Sequence, residues 1–457
     1  MQLFNRYVST RSLTVFAGEL CLIFGSVALA AGLQDTPDLA ANLWKIGLVT
    51  IVCQLCLYYN DFYDLTLVQS TRELVVRLLQ AVGATSIVLA ALYFTMPSLM
   101  IGNGIFVSAL FVFLVGILGW RLLFNHLTGS LKLQERILVV GTGDTARKVV
   151  RQIVDQREFA YRVIGFIDDD ASRVGERIVN PGIVGTPADI ATLIDRHHVD
   201  RIIVGLSDRR GKLPVEELLR AKMAGIRVED ATTTYERITG KILIDDLRPS
   251  WLIFSDGFRV SRITRWLKRS IDLGLSVVIG LLALPLMALT AIAIALESGR
   301  PVLYCQERVG ENGKTFTLCK FRSMRTDAEK GGTPVWARDG DDRITRVGCV
   351  IRKTRLDELP QIWNVMRGDM SFVGPRPERP FFVAELSKAI PFYQQRHAVK
   401  PGLTGWAQVK YRYGASLEDA TEKLRYDLYY IKHLSIFFDL TIVFDTVKVV
   451  LFGKGAA

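Results

Sequence analysis

Four long apolar stretches fill the first 120 residues, and they constrain the fold more than any other feature. They run roughly over residues 13–32, 43–59, 78–94 and 101–120. Each has about the 17–25 residues that a helix needs to cross a bilayer. In lipid, a lone apolar segment satisfies its backbone only as a helix. A four-helix transmembrane domain is therefore expected over residues 1–130. The first stretch does not read as a cleaved signal peptide: it is long, Glu19 interrupts it, and three similar stretches follow. Glu19 is expected to face the bundle interior, as charged residues in spans usually do. Cys53-Gln-Leu-Cys56 has metal-like spacing but lies mid-membrane with no second pair, so core packing is expected there.

Charge orients the bundle. Arg6 and Arg11 precede the first span, Arg72 and Arg77 separate the second from the third, and Arg121, Lys132 and Arg136 follow the fourth. The other two loops carry only Lys45, so the positive-inside rule puts both ends of the bundle in the cytoplasm. Everything after residue 130 then starts in the cytoplasm. The whole chain is 49% hydrophobic with a net charge of +11, which points to an anionic membrane face ahead of nucleic acid. So much apolar surface excludes disorder as the main state. Six cysteines in 457 residues exclude a disulfide scaffold, and five scattered histidines argue against a His-built metal centre.

Residues 131–245 read as a Rossmann-like, nucleotide-binding-like α/β domain. The apolar strand Ile137-Leu-Val-Val140 is followed by Gly141-Thr-Gly143-Asp-Thr-Ala146 and a helical pattern. A second strand, 163–167, ends in Asp168-Asp169-Asp170, and a third covers 201–205. In such an arrangement the glycines let backbone N–H groups approach a phosphate, and an acid such as Asp168 holds a ribose. The domain ends near residue 230, roughly one βαβ-based half with no second half. Gly141, Gly143, Ala146 and Asp168 thus mark a candidate nucleotide site or a purely structural turn, rather than a redox centre. Residues 235–257, with a break at Pro249-Ser250, read as the connection to the last domain.

Residues 246–457 carry the chemistry. Arg259, Arg262, Arg265, Lys268 and Arg269 recur at three- and four-residue spacing, a basic face suited to an anionic membrane surface. A fifth apolar run, 271–296, has Pro285 near its middle and basic residues on both sides. Both flanks prefer the cytoplasm and proline kinks a helix, so a re-entrant hairpin is expected rather than a span. Beyond it come Gln306 to Gly310, Lys320-Phe-Arg322-Ser-Met324, Arg352 through Asp357-Glu358 to Gln361 with Asn364 beyond, and Gly374-Pro-Arg376-Pro377. Adjacent carboxylates beside arginines suit phosphoryl transfer: one acid attacks phosphorus, the other holds Mg²⁺, and the arginines stabilise spread charge. The prolines around Arg376 restrict its backbone and hold a guanidinium fork ready.

With Lys268-Arg-Ser-Ile-Asp272, Leu356-Asp-Glu-Leu-Pro-Gln361, residues 368–377 and Pro401-Gly-Leu-Thr-Gly-Trp-Ala-Gln-Val409, these motifs closely resemble the bacterial sugar transferases, the polyprenyl-phosphate hexose-1-phosphate transferases. The whole layout resembles their long branch, with four spans and a middle domain, which initiates exopolysaccharide or capsule repeats. The resemblance implies transfer of a sugar 1-phosphate from a UDP-sugar to undecaprenyl phosphate, with release of UMP and Mg²⁺ as cofactor. It implies Asp357 as the nucleophile of a covalent phospho-sugar intermediate and Glu358 as the Mg²⁺ partner. By the same resemblance Arg352, Arg376 and Arg412 contact phosphate or nucleotide, Lys320 and Arg322 join them, and Asp439 is a further acid near the active site. The family's re-entrant helix often breaks at Ser-Pro; here Leu284 precedes Pro285. The last apolar stretch, 434–452, is expected to pack at the interface.

The expected fold class is thus a membrane α-helical bundle, a Rossmann-like α/β domain, and a mixed α/β catalytic domain with a re-entrant membrane helix. Expected partners are a UDP-sugar, undecaprenyl phosphate and membrane lipid, without nucleic acid, and a homodimer is compatible. Glucose or galactose is the commonest sugar the resemblance suggests. Two other readings remain open. A nicotinamide-dependent sugar epimerase or dehydratase would need a Tyr-x-x-x-Lys pair, but Tyr235 is followed four residues later by Thr239. A nucleotide-sensing membrane scaffold for polysaccharide assembly would leave the acid pair and its arginines without work.

Overall fold

A computed structural model describes residues 2–3, 6–7, 10–33, 39–60, 62–63, 71–101, 105–130, 135–155, 161–206, 213–244, 257–258, 260–326, 328, 341–411, 414 and 416–452. They form two compact units that meet in sequence between Thr234 and Tyr235.

The first unit opens with four apolar helices, α1 Thr10–Leu33, α2 Leu39–Tyr59, α3 Thr71–Thr95 and α4 Ile105–Ser130. Their lengths and apolar composition make this a membrane protein. Helix α1 packs on α2 and α4, and α2 on α3. Glu19 faces inward, fully buried, and Arg121 Nε donates to it at 2.6 Å. Arg121 also donates to the Phe62 carbonyl at 3.0 Å and lies over the Phe62 ring. Arg121 is therefore an interior cation rather than a flanking one, because α4 continues to Ser130 and a buried acid must be paired. Its contribution to the orientation argument passes to Lys132 and Arg136.

The same unit holds a five-stranded parallel sheet in the order Ile183–Gly185, Tyr161–Ile167, Glu135–Val140, Arg201–Val204, Arg227–Asp230. The central strand is a continuous apolar run from Ile137 to Val140, as a parallel strand covered on both faces requires. Helix Asp144–Asp155 follows it directly, so the Rossmann-like α/β reading holds.

The second unit begins earlier than the sequence suggests. Ile242 and Ile244, expected in the middle domain or its connection, are buried in this unit's core with Trp406, Leu428 and Tyr430. The Ile242 N–H donates to the Arg425 carbonyl, and Trp406 Nε1 donates to the Gly240 carbonyl. A 37-residue helix, Arg262–Ser298, comes next; it is continuous through Pro285, so the break expected of a re-entrant hairpin does not form there. It carries two faces along its length. Asp272, Ser276, Thr290 and Ile294 are buried, whereas Val278, Leu282, Leu289 and Leu296 are exposed. Lys268 and Arg269, expected on a membrane-facing basic surface, turn inward. Lys268 Nζ donates to Asp439 at 2.6 Å, and Arg269 donates to the Val365 and Met366 carbonyls that end helix Ile362–Arg367. Arg262 and Arg265 stay exposed.

Two small sheets complete this unit. An antiparallel hairpin joins Leu303–Val309 to Thr315–Phe321, with Cys305 and Cys319 linked as a disulfide across it. This local cross-strand link leaves the conclusion about a disulfide scaffold intact. A parallel pair joins Ser371–Val373 to Gly402–Thr404. There the backbones cross closely: a Cβ on Gly374 would meet the Lys400 carbonyl oxygen at 2.3 Å, and one on Gly402 would meet the Gly374 nitrogen at 2.1 Å.

Candidate active site

Asp357 and Glu358 sit on the six-residue 3₁₀ helix Leu356–Gln361, directly after Arg355. Arg355 has φ +59°, a left-handed conformation costly for a side chain with a Cβ and common at functional sites. Asn364, on the next helix, holds the neighbouring strand like a further strand. Its Nδ2 donates to the Thr317 carbonyl at 2.7 Å, and its Oδ1 accepts from the Cys319 N–H. That strand carries Lys320 toward the acid pair.

The Pro375-Arg376-Pro377 segment is clamped through its carbonyls. Arg396 Nη2 donates to the Arg376 carbonyl at 3.0 Å, and Arg308 Nη1 donates to that of Pro377 at 3.2 Å. Arg396 is in turn held by buried Asp427 at 2.8 Å and by the Tyr393 hydroxyl at 2.6 Å. The result aims Arg376 Nη2 at Glu358 Oε1, 2.9 Å away, and Arg355 Nη1 approaches the same oxygen at 3.4 Å.

Charge separates the two acids. Burial and the neighbouring Glu358 push Asp357 up to about 6, against the pull of Lys320, Arg376 and Arg355. Burial would also raise Glu358, but the guanidinium groups of Arg376 and Arg355 outweigh it and hold Glu358 below the usual range. Burial lowers Lys320, which the two carboxylates partly offset. The guanidinium groups thus favour the charged form of Glu358, whereas burial disfavours that of Asp357.

These residues line a cavity of about 470 Å³, together with Arg322, Arg352 and Arg379. The structure therefore brings together Lys320, Arg322, Arg352, Asp357, Glu358 and Arg376 from three separate motifs. Asp439 stands apart from this lining, bonded to Lys268 and to the Tyr430 hydroxyl at 2.8 Å. Arg412 lies outside the described residues. Arg396, Asp427 and Tyr393 carry no local motif and were not readable as site residues. Arg308 and Arg355 do lie in quoted motifs, where their charge was the only signal.

For a divalent cation the donors at hand are Asp357 and the Glu358 Oε2 that neither guanidinium occupies. Among the described residues there is no cluster of three or more His, Cys, Asp or Glu side chains. Mg²⁺ commonly takes one or two carboxylates and completes its shell with water and substrate phosphate, so this donor set fits it.

The Gly141 turn is a different case. Gly141 has φ +97°, and Gly205 touches Ala146 so closely that a Cβ on Gly205 would lie 2.5 Å from the Ala146 Cβ. The Gly143 carbonyl accepts from the Arg147 N–H. Asp168 accepts from the Thr142 hydroxyl at 2.5 Å and from Arg173 at 2.8 Å. Tight helix-on-sheet packing accounts for Ala146, and Asp168 is engaged by the chain's own donors.

Residues 263–453 match the family described as bacterial sugar transferase, and residues 59–218 match a CoA-binding domain. An undecaprenyl-phosphate galactose phosphotransferase of Salmonella typhimurium is 30% identical over 362 residues, 74% of this chain and 72% of that protein. The chain belongs to the bacterial sugar transferase family. Another similar sugar transferase is the UDP-N-acetylgalactosamine-undecaprenyl-phosphate N-acetylgalactosaminephosphotransferase of Aeromonas hydrophila, 45% identical over 239 residues. A third is an undecaprenyl-phosphate glucose phosphotransferase of Komagataeibacter xylinus, 32% identical over 337 residues. The matches cover 52% and 72% of this chain, but only 56% and 61% of those two relatives' own lengths.

Proposed function

We propose that this sugar transferase moves a sugar 1-phosphate from a UDP-sugar to undecaprenyl phosphate, forming undecaprenyl-diphosphate-sugar and beginning an exopolysaccharide or capsule repeat. The observation that carries the reading is the Asp357–Glu358 pair in a cationic cavity, with one acid poised and the other neutralised. The Asp357 carboxylate attacks the sugar-bearing phosphorus, an oxygen–phosphorus bond forms, and the bond to UMP breaks. Lys320, Arg352 and Arg376 take up the charge on the phosphate oxygens. A phosphate oxygen of undecaprenyl phosphate then attacks the same phosphorus and Asp357 leaves as the carboxylate. Mg²⁺, held by Glu358 and Asp357, would supply a hard charge on the departing phosphate.

The site works at the membrane surface. Both ends of helix Arg262–Ser298 are tied to the same unit, Lys268 and Arg269 at one end and Ser298 to Arg322 at the other. A span would place those ends on opposite sides of the bilayer, so the ties favour re-entry from the cytoplasmic face. The charge pattern favours the same side for the middle and catalytic parts.

The test is UMP release by purified protein with undecaprenyl phosphate, Mg²⁺ and a panel of UDP-sugars. Lipid-dependent release with one sugar is expected and names the donor. Undiminished turnover by Asp357→Asn would sink the aspartyl step.

A further inference from the structure

We infer that Arg322 forms a second anion subsite in this cavity, one that takes a phosphomonoester carried on an apolar chain. The inference rests on the proposed function and divides its phosphates between two places. Arg322 follows strand Thr315–Phe321 and is 5% exposed. Its Nη2 donates to the Ser298 carbonyl at 2.7 Å, the Ser298 hydroxyl at 2.8 Å and the Gly299 carbonyl at 2.7 Å. It thereby closes the end of the long helix, whose last carbonyls have no helical partner. Its Nε and Nη1 are buried without a hydrogen-bond partner among the described residues, and the side chain lines the cavity. Idle donors on a buried cation are costly until an anion completes them.

Position separates this guanidinium from the donor's phosphates. Alternate residues along an extended chain share a face, so Arg322 stands roughly 7 Å beyond Lys320. The charges that act most strongly on Asp357 are Glu358, Lys320, Arg376 and Arg355. The Arg322 N–H donates to the Val302 carbonyl at 2.9 Å, between Pro301 and Leu303, which line the same cavity. Of these, Leu303 is 44% exposed. A nucleotide gains nothing from that apolar rim, whereas a phosphate on a polyprenyl chain buries its first isoprene units there. Arg322 then holds the acceptor phosphate beside the phospho-sugar on Asp357, while Lys320, Arg352 and Arg376 serve the donor.

The experiment uses the full chain in detergent or nanodiscs and separates the two half-reactions. Without lipid, Arg322→Gln is expected to release UMP in a burst of wild-type amplitude, with the donor KM within about twofold. With lipid, the KM for undecaprenyl phosphate is expected to rise at least about tenfold, the size of a lost charge-assisted pair. Inorganic phosphate, the soluble probe, is expected to compete with the lipid in the wild type and to lose that competition in the variant. Arg322→Lys keeps a charge at the helix end and is expected to fall between. Ser298→Ala, which removes one capping partner and spares Nε and Nη1, is expected to leave the lipid KM unchanged.

An equal rise in donor and acceptor KM, or a lost burst, would assign Arg322 to the donor and overturn the inference. An acceptor KM raised as much by Ser298→Ala as by Arg322→Gln would reduce Arg322 to a helix cap. If the wild type itself releases no UMP, the proposed function falls. The subsite is then judged by direct binding of undecaprenyl phosphate, where equal affinity of wild type and Arg322→Gln overturns it.

Discussion

At Asp357 two requirements oppose each other. As the proposed nucleophile it must be ionised, yet burial and Glu358 resist its charge and push it up to about 6. The folded protein therefore binds this proton more tightly than the unfolded chain does. That stabilisation is complete below about pH 4 and is lost as pH rises through about 6, with a ceiling of roughly 3 kcal/mol. Asp357→Asn is accordingly expected to abolish UMP release and to raise the Tm at pH 7.5, with a gain that shrinks toward pH 5; pH-dependent melts measure it. In the wild type, UMP release is expected to fall about tenfold per pH unit below about 6, where the nucleophile is protonated. Arg376 adds geometry to charge, since its fork reaches Glu358 at 2.9 Å from a backbone held on both sides. Arg376→Lys keeps the charge and loses the fork, so kcat/KM is expected to drop about 10- to 100-fold with little change in Tm.

Among the elements, the hairpin strand Thr315–Phe321 depends on one side chain. Asn364 is buried, and both ends of its amide bond that strand's backbone. Asn364→Ala is expected to cost about 2–3 kcal/mol, because two buried backbone groups lose their partners. As the same strand presents Lys320 and leads into Arg322, activity should fall alongside stability. Asn364→Asp keeps an acceptor for the Cys319 N–H but offers the Thr317 carbonyl no donor, and is expected to lie between; denaturant melts and UMP assays on the three proteins test the order. The crossing of Gly374 and Gly402 works at the same scale. Two distant motifs meet there backbone to backbone, and the Pro-Arg-Pro segment starts from that contact.

For the whole molecule, the expectation that matters is sidedness. Cysteines placed at Arg262 and Lys314, on either side of the long helix, are both expected to react with a membrane-impermeant maleimide from the cytoplasmic side. One at Leu33, at the end of the first span, is expected to react only from the other side. Opposite labelling of Arg262→Cys and Lys314→Cys would make the long helix a true span and remove the site from the cytoplasm. The bilayer itself is the reason for this constraint, since a polar unit tied to both helix ends cannot cross it.

Much of this architecture was legible in the residue order, because its signals are local. Apolar runs of span length, a strand–turn–helix around Gly141, and carboxylates beside arginines depend on neighbours a few positions away. By those signals, Lys320, Arg322, Arg352, Asp357, Glu358 and Arg376 were recognisable before the fold was known, and the structure lines one cavity with them. What the local signal could not carry is which distant group answers a buried charge. Arg121 reads as a flanking cation but pairs with Glu19, 102 positions away. Lys268 and Arg269 read as membrane-facing but cap carbonyls and Asp439. Ile242 and Ile244 read as linker yet pack in the catalytic core, and Arg396 with Asp427 supports Arg376 without any motif of its own. The sequence by itself determined the elements and the residues available for phosphate chemistry, since period and residue type are properties of short segments. Only the tertiary structure decided which of those charges face substrate and which hold the frame, because pairing a buried ion depends on what the fold brings within 3 Å of it.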